Sequence, residues 1–162
     1  MISISLSIVL LLACTKPSDS TEPVSTGNSP DAVNKTLMLQ LVNDVRKKGC
    51  QCGDTWYPPA ASVTWNDVLE KAALNHSRDM YQNNYFSHTS KDGTGAGVRI
   101  QQVGYNWRSY GENIAMGHKD EKEVVAGWVS SPGHCKNIMN KNYKEMGVAK
   151  VGGYWTQEFG AK

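Results

Sequence analysis

An α+β fold, a small antiparallel sheet held between helices as an α/β/α sandwich, follows from a change of period along this chain. Up to about Met139 the apolar residues recur at helical spacing, beginning with Val33, Leu37, Leu41 and Val45. Beyond it, Met146–Val151 and Tyr154–Phe159 are strand-like runs joined at Gly152-Gly153, a two-residue hairpin turn. A further strand is predicted over Asn113–Met116. A sheet this small needs helices on its faces to bury it, and 162 residues make one domain.

Met1–Ala13 carries no charge and is mostly Ile, Leu, Val and Ser. It is too short to span a bilayer and suits the apolar part of an export signal, although no Lys or Arg precedes it. Leu11-Leu12-Ala13-Cys14 resembles a bacterial lipobox, in which the Cys14 thiol is lipidated. Residues 14–30 are rich in Ser, Thr, Pro, Gly, Asp and Glu, the composition of a flexible tether. The folded domain is then 31–162.

Within it, Ser29-Pro30-Asp31 reads as the start of a first helix, which Gly49 ends. Asp54–Ser62, with Pro58-Pro59, reads as an ordered loop. Asn66 caps a second helix reaching about Asn83, with Leu69, Ala72, Ala73, His76 and Met80 on its apolar face. A histidine in such a stripe is read first as a satisfied core residue. Asp92-Gly93 marks a turn, Val98–Val103 a short helix, and Asp120-x-x-Glu123 a capping box. The helix it opens buries Val124, Val125, Trp128 and Val129. Ser131-Pro132-Gly133 breaks that helix before a short one over His134–Met139.

Lys+Arg 17 against Asp+Glu 15 leaves no basic stripe, and Lys47-Lys48 is a solvated pair, so nucleic acid is not an expected partner. With Cys14 lipidated, Cys50, Cys52 and Cys135 remain, an odd number for an oxidising compartment. Cys50 and Cys52 are too close to pair, so one of them bridges to Cys135. A zinc site on Cys50-Gln-Cys52 competes, but its spacing is C-x-C rather than C-x-x-C.

The chemistry lies in Asn84-Tyr85-Phe86-Ser87-His88, Gly111-Glu112-Asn113-Ile114-Ala115 and Ser131-Pro132-Gly133-His134. Two imidazoles and a carboxylate that converge on folding form a ligand set for a divalent metal, zinc above all, or an acid–base site. Alternatively His88, Glu112 and His134 hydrogen-bond one another without a ligand, and Gly111 and Gly133 serve tight turns. No G-x-S-x-G elbow supports Ser87 or Ser131 as a nucleophile, and Cys135 is a candidate only as a free thiol. Five Trp and seven Tyr against two Phe favour amphipathic rings, which suit partly wet clefts. Trp56, Tyr57, Trp107 and Tyr110 fall in predicted loops.

Taken in order, Val63-Thr64-Trp65-Asn66, Asn75-His76-Ser77, Asn84–His88, Gly104-Tyr105, Gly111–Ala115, Trp128–His134, Gly147-Val148 and Tyr154-Trp155-Thr156-Gln157 resemble the CAP superfamily, the SCP-like or allergen V5-related domains. The resemblance runs from about Ala32 to Gly160. It implies the same sandwich, with His88, Glu112 and His134 lining one cleft where family members hold a divalent ion. The family's fourth cleft residue, a Glu shortly after a Trp, is not matched, since Ser131 stands there. A subgroup with one cysteine near Cys52 and one after the cleft histidine implies a Cys52–Cys135 bridge, with Cys50 left over. The resemblance points to an exported, lipid-anchored module binding an extracellular protein, a lipid or a small ligand. The alternative is a metal-dependent peptidase- or esterase-like hydrolase in which Glu112 is ligand or general base, beside His88 and His134.

Overall fold

The first helix, α1 (Lys35–Lys48), starts where a side chain can replace its missing acceptor: Asn34 Oδ1 takes the Leu37 amide at 3.0 Å. The expected start at Ser29-Pro30 is therefore several residues too early, because Asp31–Asn34 is not helical. The computed structural model describes residues 31–162; the apolar leader, Cys14 and the tether lie outside the described residues. The buried line of α1 is Met38, Val42 and Arg46, one position on from Leu37, Leu41 and Val45. Arg46 is fully buried because main-chain oxygens surround it. Its guanidinium donates to Ala61 O at 2.8 Å, Ile138 O at 2.6 Å, Asn140 O at 3.0 Å and Tyr143 O at 3.4 Å.

The stretch after Gly49 is a small hairpin rather than a loop. β1 (Cys50–Cys52) pairs antiparallel with β2 (Thr55–Tyr57), turning at Gly53 in the left-handed region, and only then do Pro58-Pro59 stop pairing. β3 (Thr64–Trp65) is a two-residue strand leading into α2 (Asp67–Gln82). Asn66 caps α2 through Oδ1, which accepts the amides of Val68 and Leu69. Leu69, Ala72, Ala73, His76 and Met80 are all buried on its inner face. α3 (Ala96–Gln102) follows the Asp92-Gly93 turn.

β4 (Ser109–Met116) is longer than the strand expected over Asn113–Met116. Asp120 caps α4 (Glu121–Ser130), accepting the Glu123 amide at 2.9 Å, while Glu123 reaches back to the Lys119 amide. Pro132 then opens α5 (Pro132–Met139). β5 (Glu145–Val151) and β6 (Tyr154–Ala161) form the C-terminal hairpin, and both residues of its Gly152-Gly153 turn have positive φ.

The main sheet has the order β3-β5-β6-β4. Its three long strands are antiparallel, and only the two-residue β3 joins parallel, at the edge beside β5. Helices α2 and α3 cover one face, and α1, α4 and α5 lie on the other. Alternation along the strands serves both layers: Met146, Val148, Trp155 and Phe159 enter the core under α1, α4 and α5. Gly147 faces the other way, and a Cβ there would overlap the Glu70 amide nitrogen, so α2 packs directly on backbone. The fold is the α+β sandwich expected from the sequence.

Candidate functional site: a histidine-lined cleft over a buried acid pair

The site is built on β4, the free edge of the sheet, where successive residues point into opposite layers. Asn113 turns toward α5, bonding Gln157 Oε1 at 2.9 Å and receiving Asn137 Nδ2 at 2.9 Å. Glu112 turns toward α2 and α3 and is almost wholly enclosed. Oε1 lies 2.7 Å from His88 Nδ1, Oε2 accepts from Arg99 Nη2, and His76 Nε2 is 3.8 Å from Oε2. Burial pushes the Glu112 pKa up, but the His88 hydrogen bond and the charge of Arg99 outweigh it and hold the group ionised below the usual range.

Four neighbours here were not assigned to the site from sequence. Arg99, in α3, ties the site to the preceding loop by donating to His88 O at 3.0 Å and Thr94 O at 2.8 Å. His76 is buried as expected, with Nε2 2.9 Å from Ser87 O, yet its Nδ1 has no partner. Desolvation lowers its pKa, opposed by the Glu112 charge. Glu158 sits opposite Glu112 in the β4–β6 register and is fully buried beside it. Burial and the adjacent Glu112 charge raise its pKa well above the usual carboxylate range, so it is a protonated acid. His118, after β4, packs on Gly127 so closely that a Cβ there would lie 2.6 Å from its Nε2.

Above this buried layer runs a cleft of about 640 Å³. His88, half exposed, and His134, in the first turn of α5, both line it, as do His118 and Ser131. Burial, then the nearby His88, lowers the His134 pKa. The remaining walls are largely apolar: Phe86, Ile114, Ala115, Met116 and Trp128. His88 thus joins the two levels, touching Glu112 below through Nδ1 and leaving Nε2 as the nitrogen available above. Glu112 itself does not line the cleft, and its two oxygens are committed to His88 and Arg99.

Gly111 does not serve a turn. It is a strand residue whose missing side chain makes room for the Tyr143 hydroxyl, which donates to Tyr110 O at 2.8 Å. Gly133 lies in the first turn of α5 rather than in a tight turn before it. A disulfide links Cys52 to Cys135, beside His134, with Cα atoms 5.4 Å apart. Cys50 is a half-buried free thiol. Trp56 and Tyr110 are exposed, whereas Trp65, Trp128 and Trp155 pack in or against the core. Among the described residues no helix is long and apolar enough to cross a membrane.

A helix–sheet–helix sandwich carrying two histidines across an edge cleft, one of them backed by a buried glutamate, defines the class. The chain belongs to the CAP family, the cysteine-rich secretory protein family, whose pattern matches residues 39–159. Among curated relatives it is 37% identical over 99 residues to the membrane protein YlbC of Bacillus subtilis, covering 61% of this chain and 29% of that one. It is 32% identical over 147 residues to YkwD of the same organism, covering 88% and 54% respectively. The chain therefore spans about half or less of the length of these relatives.

Solved structures agree on the fold. An extracellular protein containing an SCP domain from Bacillus anthracis matches with a TM-score of 0.70 at 32% identity, over 80% of this chain and 40% of that one. An outer surface protein from Borrelia burgdorferi matches with a TM-score of 0.66 at 22% identity, over 78% and 91%.

Proposed function

We propose that this protein is an exported, lipid-anchored CAP module that binds a ligand or partner in the cleft, with a divalent ion, zinc above all, held by His88 and His134. The observation that carries this reading is the commitment of Glu112. With one oxygen on His88 and the other on Arg99, the carboxylate orients an imidazole, as outer acids do behind metal-bound histidines, and is not free to act as a base. Ser131 stands where the family places a second acid, so the cleft lacks a replacement.

Two imidazoles of the cleft carry the features such an ion would need. His88 presents Nε2 with its tautomer fixed from behind, and the pKa of His134 is lowered, which keeps the ring neutral and ready to ligate. A bound zinc supplies a Lewis acid with open positions. The chain supplies ring orientation from Glu112 and apolar walls from Phe86, Ile114 and Trp128. A ligand with an apolar body and one metal-seeking or hydrogen-bonding end suits that combination, and a lipid, a small molecule or an exposed loop of an extracellular protein can provide it.

Export rests on the apolar leader and on kinship with an extracellular SCP-domain protein. Mass spectrometry of the mature N-terminus is expected to find a lipid-modified Cys14, and an unmodified later start refutes the anchor. For the cleft, metal content is measured in protein purified without chelator and in a His88→Ala/His134→Ala variant. The ion is expected in the first and lost from the second; equal content in both removes the ligand assignment. Zinc-dependent turnover in peptidase or esterase screens would overturn the binding reading.

A further inference from the structure

Cys50 is spare to the fold but not to the chemistry around it. In a strand, residues two apart project to one side, so β1 directs Cys50 and Cys52 toward α5 while Gln51 points out to solvent. Cys50 Sγ lies 3.6 Å from Cys135 Sγ, and the three sulfurs are all within 4.8 Å of one another. Access is graded. Cys52 is 1% exposed and Cys135 0%, whereas Cys50 is half-buried and open to small reagents.

We propose that Cys50, Cys52 and Cys135 form a thiol–disulfide exchange site in which Cys50 is the entry thiol to a buried bridge. Cys50 loses its proton to solvent, and the thiolate attacks Cys135 Sγ. A Cys50–Cys135 bond forms as the Cys52–Cys135 bond breaks, and the electron pair leaves on Cys52, which takes up a proton. One disulfide and one thiol stand on each side, so no oxidant or reductant is consumed. Cys135 is the sulfur attacked, because a Cys50–Cys52 bond would span two residues of extended strand, about 6.6 Å, near the outer limit for a disulfide.

The transfer brings the bridge to the surface. A low-molecular-weight thiol that cannot reach Cys52 or Cys135 attacks Cys50 of the exchanged bridge. That forms a mixed disulfide on Cys50 and leaves Cys135 and Cys52 as thiols, with one disulfide again retained. The C-x-C spacing, poor for zinc, is what a strand needs to hold two alternative partners beside one sulfur.

The full chain carrying Cys52→Ser tests this directly. It is purified without reductant, its thiols are trapped with maleimide after unfolding, and tandem mass spectrometry maps the label, which separates Cys14 from the cluster. Cys50 and Cys135 are expected as a cross-linked, unlabelled pair. Both labelled, in a variant with the wild-type circular dichroism spectrum, overturns the proposal. If that variant does not fold, wild-type protein held at about pH 8.5 is acid-quenched and mapped instead. Label at Cys52 in a fraction of chains supports the exchange, and label confined to Cys50 refutes it. Reduction of the native bridge by dithiothreitol is expected to be about tenfold slower in Cys50→Ser, and equal rates overturn the entry role.

Discussion

Glu112 and Glu158 stand directly opposite one another on β4 and β6, facing the same layer, one ionised and one protonated. Two carboxylates so close cannot both ionise in a buried site, and Arg99 resolves the choice by bonding Glu112. The result is one negative charge, fixed beneath His88.

Glu158→Gln is expected to raise thermal stability at neutral pH. The unfolded carboxyl ionises above its ordinary pKa of 4.5, whereas the folded one keeps its proton, so wild-type stability is lost as pH rises from 4.5 toward the raised folded value. Glutamine has no proton to keep. Melting curves from pH 4 to 8 should show the two proteins converging in acid and diverging toward pH 8. A constant gap would mean that Glu158 is not held protonated.

Removing the other acid should have the opposite effect. Glu112→Ala leaves Arg99 without its counter-charge in a closed layer, and breaking a buried pair costs about 3–5 kcal/mol. Urea unfolding measures the loss. A cost below about 1 kcal/mol, the range of an exposed pair, would show that water reaches Arg99.

His76 makes the fold acid-sensitive. Its pKa is lowered on folding, by desolvation first, so the unfolded chain takes up a proton near pH 6.5 while the native ring stays neutral. This contribution is intact above 6.5 and declines as pH falls through 6.5 toward the depressed native value. His134, lowered by burial and His88, adds in the same direction. Comparing His76→Gln with wild type across pH 5 to 8 isolates the effect: the stability difference should shrink in acid. Parallel curves would contradict it.

Gly147→Ala tests the packing behind the site. The added methyl would overlap the Glu70 amide and Leu69 carbonyl carbon of α2, where only backbone could yield. A loss of about 3 kcal/mol is expected, at the upper end of overpacking effects, measured by denaturant midpoint. Gly133→Ala, with nothing within 4 Å of the new methyl, serves as the control.

The legible parts of this fold were those where local chemistry and burial agree. Asn66 with the stripe from Leu69 to Met80, the Asp120–Glu123 box and the Gly152-Gly153 turn each carry a cap or turn residue beside the right period. The β1–β2 hairpin was hidden, because Pro58-Pro59 and Gly53 read as loop while three-residue strands carry almost no period. The phase of α1 was obscured because its third buried position is an arginine. His88, Glu112 and His134 stood out by segment and resemblance, but Arg99, His118 and Glu158 gave no local signal. Glu158 looks like a solvated acid in a strand until β4 is laid beside it. The unpaired His76 Nδ1 depends in the same way on contacts across the sequence.

Arg46 also bears on the order of assembly. Three of the four carbonyls it holds lie 92, 94 and 97 positions further along the chain, so α1 cannot be secured until α5 and the residues after it have formed. Contacts of such separation carry a high loop-closure cost and form late. A chain emerging N-terminus first would keep this helix undocked until nearly all of the domain had been delivered. Truncation before Asn140 should therefore release α1 itself, though the cut lies at the opposite end of the sequence.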